Sequence, residues 1–259
     1  MRLQLVGGGR MGEALLAGLL DAGWATAAEV RVVEALAPRR EELTARFAGV
    51  EVTEVVGEAE GTVLATKPGD IRDACAGLGP DAGRVLSIAA GVRLADLEAA
   101  LPVGTPVVRA MPNTPALVGA GAAAIAAGRA ADDDDLAWAE SILSAVGTVV
   151  RVAEPLLDAV TGLSGSGPAY VFLVAEALVE GGVLMGLPRP VAAELAVQTL
   201  LGAARLLAEG DEGPEALRAA VTSPGGTTAA GLRALEQAGV RAAFLDAVAA
   251  ATERSRELG

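Results

Sequence analysis

The chain has 259 residues and a formal net charge of −13, with apolar residues at 52% and aromatics at 2%. That length holds one large domain or two ordinary ones, and the composition lies far from the disordered range. So negative a chain argues against a general nucleic-acid or anionic-membrane surface, and leaves an anionic ligand only a local, preformed site.

The inventory narrows the chemistry further. There is no histidine, and Cys75 is the single cysteine, so neither a disulfide framework nor a thiolate zinc cluster is available. Ser-His-Asp and Cys-His catalysis and a His-ligated metal are excluded, and no metal site is expected. Lys67 is the only lysine, Asn113 the only asparagine and Tyr170 the only tyrosine. The longest uncharged stretch, 110–128, is broken by Pro112 and Pro115 and is no membrane span. A strand begins at residue 3 where a leader would lie, so a soluble, cytoplasmic protein with no membrane or nucleic-acid partner is expected.

In chain order, residues 3–6 (LQLV) read as a buried strand, followed by a glycine turn and a helix over 11–22. A second strand covers 30–34 and a helix 39–47. Strands at 62–66, 84–90 and 106–110 follow, separated by helical segments near 69–76 and 94–100. Strands at 121–126 and 148–152, around a helix at 133–145, extend the series. Alternating strands and helices imply a mostly parallel sheet covered on both faces. After about residue 154 no strand-like run appears. Residues 170–186 and 190–210 form long helices that are apolar nearly all round, and helices at 228–237 and 241–258 close the chain. The expected architecture is an α/β dinucleotide-binding domain over 1–153 and an all-α domain over 154–259. Helices apolar on every side need more cover than about 105 residues provide, so a second subunit is expected over them.

Three segments carry chemistry. Gly7, Gly9 and Gly12 in GGGRMGEAL fit G-x-G-x-x-G between strand and helix, the arrangement that brings a pyrophosphate to a helix N-terminus. Glu34 ends the second strand, where an acid accepts bonds from ribose hydroxyls and would repel a 2′-phosphate, so NADH is expected to serve at least as well as NADPH. RAMPNTPA (109–116) ends the fifth strand, where open α/β sheets bind ligands; Asn113 there can bond the backbone or a cofactor amide. VTSPGGTT (221–228) offers Ser223, Thr227, Thr228 and exposed N–H groups at a helix start, an anion pocket without formal charge, although a threonine there also suits an N-cap. No histidine, zinc or Tyr-x-x-x-Lys pair is present to protonate a ketone-derived alkoxide. A C=N substrate, which can arrive already protonated, suits such a site better. Cys75 reads as a packed core residue and 132–135 as a capped, charged helix start.

Taken in order, GGGRMGEAL, ATKPG, SIAAGV, RAMPNTPA, LSGSGPAYVF, GGVLMGLPR and VTSPGGTT make the whole chain resemble the pyrroline-5-carboxylate reductases. The resemblance implies reduction of the cyclic imine 1-pyrroline-5-carboxylate to L-proline with NADPH or NADH, by an intertwined homodimer that stacks into a decamer in some members. It implies that Gly7, Gly8, Gly9, Arg10, Met11 and Gly12 hold the pyrophosphate and that Thr66, Lys67 and Pro68 lie by the cofactor. Ala89, Ala90, Met111, Pro112 and Asn113 would line the nicotinamide. Ser223, Gly225, Gly226, Thr227 and Thr228 would bind the substrate carboxylate across the dimer, with Thr228 the catalytic hydroxyl nearest the ring nitrogen. Members preferring NADPH often carry a small polar residue at the second strand's end, whereas this chain has Glu34-Ala35-Leu36 with Arg39 and Arg40 beyond. A β-hydroxyacid dehydrogenase is the competing enzyme, but it needs a lysine in the helical half; a nucleotide-binding protein without turnover is the competing non-enzyme.

Overall fold

The computed structural model describes residues 1–79 and 82–258; residue 259, the last of the expected second domain, lies outside them. The chain divides into two compact units, Met1–Ser166 with Ala249–Gly259, and Gly167–Val248.

The first unit is built on one eight-stranded sheet. Its strands are β1 (Leu3–Val6), β2 (Val30–Val33), β3 (Glu51–Thr53), β4 (Gly61–Leu64), β5 (Arg84–Ser87), β6 (Val107–Met111), β7 (Gly121–Ala127) and β8 (Gly147–Arg151). They lie in the order β3-β2-β1-β4-β5-β6-β7-β8. Every neighbouring pair is parallel except β6 with β7. The mostly parallel sheet expected from the alternation is therefore present. Two differences stand out. The three-residue β3 carries too little pattern to be read in advance, and several strands end earlier than their apolar runs: β2 stops at Val33 and β4 at Leu64, so Glu34 and Thr66 stand just beyond the sheet.

Helices α1 (Arg10–Asp21), α2 (Ala37–Arg46), α3 (Ile71–Gly77), α4 (Leu94–Ala100) and α5 (Asp133–Leu143) cover the strands. Leu15, Leu16 and Leu19 of α1 and Ile142 and Leu143 of α5 pack with Leu3, Leu5 and Ile125 in one cluster. Ile71 and Cys75 of α3 and Leu94 and Leu97 of α4 pack with Val6, Leu64 and Val85 in the other. Each such leucine withdrawn from water contributes about 1.5–3 kcal/mol. A fully buried polar pair inside the sheet is satisfied: Gln4 Nε2 donates to Thr62 Oγ1 at 3.1 Å, and that hydroxyl donates to the Ala82 carbonyl at 2.9 Å. After β8 the chain forms the short α6 (Leu157–Val160) and one π-helical turn, Thr161–Gly165. Ser255 Oγ donates to Asp158 Oδ1 at 2.7 Å, fixing the C-terminal segment to α6.

The second unit is helical, as expected: α7 (Gly167–Leu184), α8 (Arg189–Glu209), α9 (Pro214–Ala220), α10 (Thr227–Gln237) and the first part of α11 (Val240–Leu258). The sequence reading sets no bounds for the short α9. No residue of α7 is buried, and only Ala192 and Ala196 of α8 are. Phe172, Leu173, Leu195 and Leu206 are all more than half exposed. Two stretches, Glu154–Leu184 and Arg189–Glu209, are long and apolar enough to cross a membrane by length and composition. Two uncovered apolar helices are what the sequence led one to expect.

Candidate functional site

The strand order reverses between β1 and β4, and ligands of open α/β sheets bind in the crevice beyond the carboxyl ends of the strands at such a point. The chain turns there at Gly7, whose amide donates to the Val33 carbonyl at 2.8 Å and whose φ is +107°. A Cβ on Gly7 would meet the Ala65 carbonyl oxygen at 2.7 Å, and one on Gly12 would meet the Gly7 carbonyl oxygen at 2.1 Å. These two glycines are required by close packing of turn, helix and β4. Gly9 differs: nothing lies within 4 Å of a Cβ placed on it, so it faces open space. It is also the N-cap of α1, with no side-chain cap, so the first N–H groups of the helix over Arg10, Met11 and Gly12 point to that space uncapped.

The neighbouring strand ends bring the other expected cofactor residues to the same edge. Thr66 follows β4, and its Oγ1 is a buried atom with no hydrogen-bond partner, a donor and acceptor waiting for a ligand. Lys67 is exposed and starts the 3₁₀ turn Pro68–Asp70. Ala89 is buried beyond β5, while Ala90 is exposed. A cavity of about 660 Å³ opens beside Pro68 and Ala90 and is lined further by Arg72, Asp96, Thr161 and Ser255. Met111 ends β6, and Pro112 and Asn113 follow it. Asn113 takes the backbone role, one of the two that the sequence left open to it. Its Oδ1 accepts from the Ala122 amide at 2.8 Å and its Nδ2 donates to the Ser164 carbonyl at 3.0 Å, so the backbone takes most of its amide and one N–H remains for a ligand. It ties the end of β6 to the π-helical turn, where a Cβ on Gly165 would stand 2.6 Å from Met111 Cε. The LSGSG segment announced itself in sequence only by resemblance; its π-helical geometry was not readable.

At the ribose edge, Glu34 Oε2 accepts from the Gly8 amide at 2.9 Å and Oε1 from the Leu36 amide at 2.9 Å. Arg39 Nε donates to the Gly8 carbonyl at 2.7 Å, a hold on the glycine turn that the sequence reading missed because it joins residues 31 apart in the chain. Bonds to Glu13 and then Glu42 raise the Arg39 pKa above its ordinary value. Open space at Gly9, uncapped amides of α1, the orphan hydroxyl of Thr66 and a carboxylate at the end of β2 together fit a dinucleotide.

The expected substrate residues belong to the second unit. Ser223, Pro224, Gly225 and Gly226 form a tight turn closed by the Gly226 amide on the Ser223 carbonyl at 3.0 Å, with Gly225 at φ +69°. Proline second and a left-handed glycine third make this a type II turn. The N-cap of α10 is Gly226, and no side chain caps it. The capping role open to Thr227 in the sequence is therefore not taken, and the first amides of α10 stay available with the Thr227 and Thr228 side chains at its start. Tyr170 is not a spare acid here: its hydroxyl donates to the Ala247 carbonyl at 3.4 Å.

Comparison with known proteins agrees with this geometry. A family model described as pyrroline-5-carboxylate reductase dimerisation matches residues 154–258, and one described as NADP oxidoreductase, coenzyme F420-dependent, matches residues 2–91. A pyrroline-5-carboxylate reductase of Synechocystis sp. is 47% identical over 264 residues, covering 100% of this chain and 98% of the relative. The structure of a pyrroline-5-carboxylate reductase from Coxiella burnetii, 37% identical, superposes with a TM-score of 0.95 over 100% of this chain and 98% of that one. The Plasmodium falciparum pyrroline carboxylate reductase, solved with NADP bound, is 27% identical with a TM-score of 0.84 over 100% and 98% of the two chains. With near-complete coverage at that identity, the chain belongs to the pyrroline-5-carboxylate reductase family.

Proposed function

We infer that this chain reduces 1-pyrroline-5-carboxylate to L-proline with a reduced nicotinamide dinucleotide, the last step of proline synthesis. One observation supports it most directly: Gly7–Gly12, Thr66–Pro68, Ala89–Ala90 and Met111–Asn113 stand at the carboxyl ends of β1, β4, β5 and β6, successive strands that begin where the strand order reverses. The bound nicotinamide supplies a hydride to the imine carbon. In this reading Gly7, Gly8, Gly9, Arg10, Met11 and Gly12 receive the pyrophosphate, Glu34 the ribose, and Thr66, Lys67, Pro68, Ala89, Ala90, Met111, Pro112 and Asn113 flank the nicotinamide half.

Ser223, Gly225, Gly226, Thr227 and Thr228 hold the substrate carboxylate through amides and hydroxyls, with Thr228 beside the ring nitrogen. Hydrogen bonds to a charged group contribute about 1.5–3 kcal/mol each, so two or three orient a small anion without arginine. The protonated imine carries its own proton, so the reaction does not call on a histidine, which the chain lacks. Residues 154–259 act as the dimerisation and substrate-binding domain and 1–153 as the dinucleotide-binding domain. The exposed apolar faces of α7 and α8 are covered by a second copy of the chain rather than by lipid, and the substrate site uses both copies. Stacking of dimers into a decamer and a cytoplasmic location complete the reading. The test is spectrophotometric: oxidation of NADH or NADPH on addition of pyrroline-5-carboxylate, and no reduction of NAD+ or NADP+ by 2- or 3-hydroxyacids. Absence of turnover with the imine would refute the assignment.

A further inference from the structure

We propose that Glu34 makes this chain a discriminator of the ribose 2′ position, accepting the free diol of NAD(H) and rejecting the 2′-phosphate of NADP(H). The inference rests on the dinucleotide site described above and goes beyond it by naming which dinucleotide that site takes. Glu34 stands just past β2, and its own amide donates to the Thr53 carbonyl at 2.9 Å, so its backbone is held by β3. Both carboxylate oxygens are fixed, Oε2 by the Gly8 amide and Oε1 by the Leu36 amide, each at 2.9 Å. Each oxygen retains acceptor capacity, which suits the two hydroxyls of a ribose and repels a phosphate.

A nearby arginine would ordinarily rescue a 2′-phosphate, and two stand close by in sequence. The structure commits both elsewhere. Arg39 reaches the Gly8 carbonyl with Nε, Glu42 with Nη1 at 2.9 Å and Glu13 with Nη2. Glu13 is shared with Arg46. Arg40 donates through Nη1 to the Glu34 and Ala35 carbonyls at 2.9 and 2.8 Å, and its Nη2 pairs with Glu54 at 3.0 Å. Glu13, Glu42 and Glu54 thus pair with Arg39, Arg40 and Arg46, the Glu34 carboxylate adds a further negative charge, and neither Arg39 nor Arg40 is left to meet a dianionic group. The Arg39–Glu13 pair is about three-quarters shielded on the arginine side and more on the Glu13 side, so it does not open at little cost, whereas Glu42 is two-thirds exposed and holds Arg39 only weakly.

The test is binding without turnover. Purified protein is titrated with NADH and with NADPH, followed by nicotinamide fluorescence, and by calorimetry with 5′-AMP and adenosine 2′,5′-bisphosphate as probes of the ribose alone. NADH is expected to bind at least tenfold tighter than NADPH, and the bisphosphate no tighter than AMP. Glu34→Gln, which keeps the shape and removes the charge, should shrink the NADH-to-NADPH affinity ratio at least fivefold. Glu34→Gln with Glu42→Gln, which also frees Arg39 Nη1 while Glu13 still holds Nη2, should shift the ratio further toward NADPH. NADPH binding as tightly as NADH in the parent overturns the inference and leaves the dinucleotide site standing. An unchanged ratio in Glu34→Gln overturns it too. Failure of both dinucleotides to bind the folded parent instead removes the site itself.

Discussion

Thr228 shows what a single hydroxyl is asked to do. It is a poor acid, so the part proposed for it is to orient the imine nitrogen or relay a proton from water, with the neighbouring amides proposed to hold the carboxylate. Thr228→Val should keep the fold and NADH binding but lower kcat/KM by roughly tenfold to a thousandfold, since losing one positioned bond costs about 1.4–4 kcal/mol. Thr228→Ser should recover much of that; steady-state kinetics on both variants decide, and parental turnover by the valine form removes the assigned role. Gly12 is a different kind of necessity. Its neighbour is the Gly7 carbonyl, backbone that cannot rotate away, so Gly12→Ala should weaken NADH binding at least tenfold in a fluorescence titration and lower Tm. Cys75 gives a third residue-level expectation. It is buried in α3, and burial pushes its thiol pKa up, which keeps it protonated and unreactive at neutral pH. A thiol-specific reagent should label it only as fast as the protein opens, so rapid labelling of the native protein would contradict the packing described.

At the scale of elements, the helix starts divide into those closed by their own side chains and those left open. Asp132 caps α5: its carboxylate accepts from the Asp134 and Asp135 amides at 2.9 and 3.1 Å, and Asp135 reaches back to the Asp132 amide at 3.0 Å. Both acids sit at the positive end of the helix, as the run of aspartates suggested. Asp132→Ala should cost about 1 kcal/mol, read as a lower midpoint in urea unfolding with no change in KM for either substrate. The starts of α1 and α10 carry glycine where α5 carries aspartate, and neither has a side-chain cap. The stabilisation given up there leaves amides available, which is why these two helix starts, and not α5, suit a phosphate and a carboxylate.

For the whole molecule the unsolved face is that of α7 and α8. Phe172, Leu173, Leu195 and Leu206 lie exposed on helices with almost no buried residue, a larger apolar surface than a soluble monomer ordinarily shows. Sedimentation at micromolar concentration should therefore show a dimer or a multiple of one, and no active monomer. Phe172→Asp should shift the boundary toward monomer and abolish turnover while the first unit still binds NADH. An active monomer would contradict the shared site.

The sequence by itself determined the order and type of the long elements. Their patterns are local: the apolar run Leu3–Val6, the glycine turn after it, and helices such as Leu94–Ala100 that need no distant partner to be read. It also determined the chemistry available, because an absent histidine cannot be supplied by folding. Only the tertiary structure decided the rest, and the reason is distance along the chain. β3 is a three-residue strand that exists because β2 offers it an edge. Arg39 reaches back to Gly8, and Asn113 bonds Ser164 across 51 residues, pairings that no window of sequence contains. For the same reason Glu34 was legible as an acid at a strand end, but the commitment of Arg39 and Arg40 to other carboxylates became visible only when α1, α2 and the end of β3 were brought together.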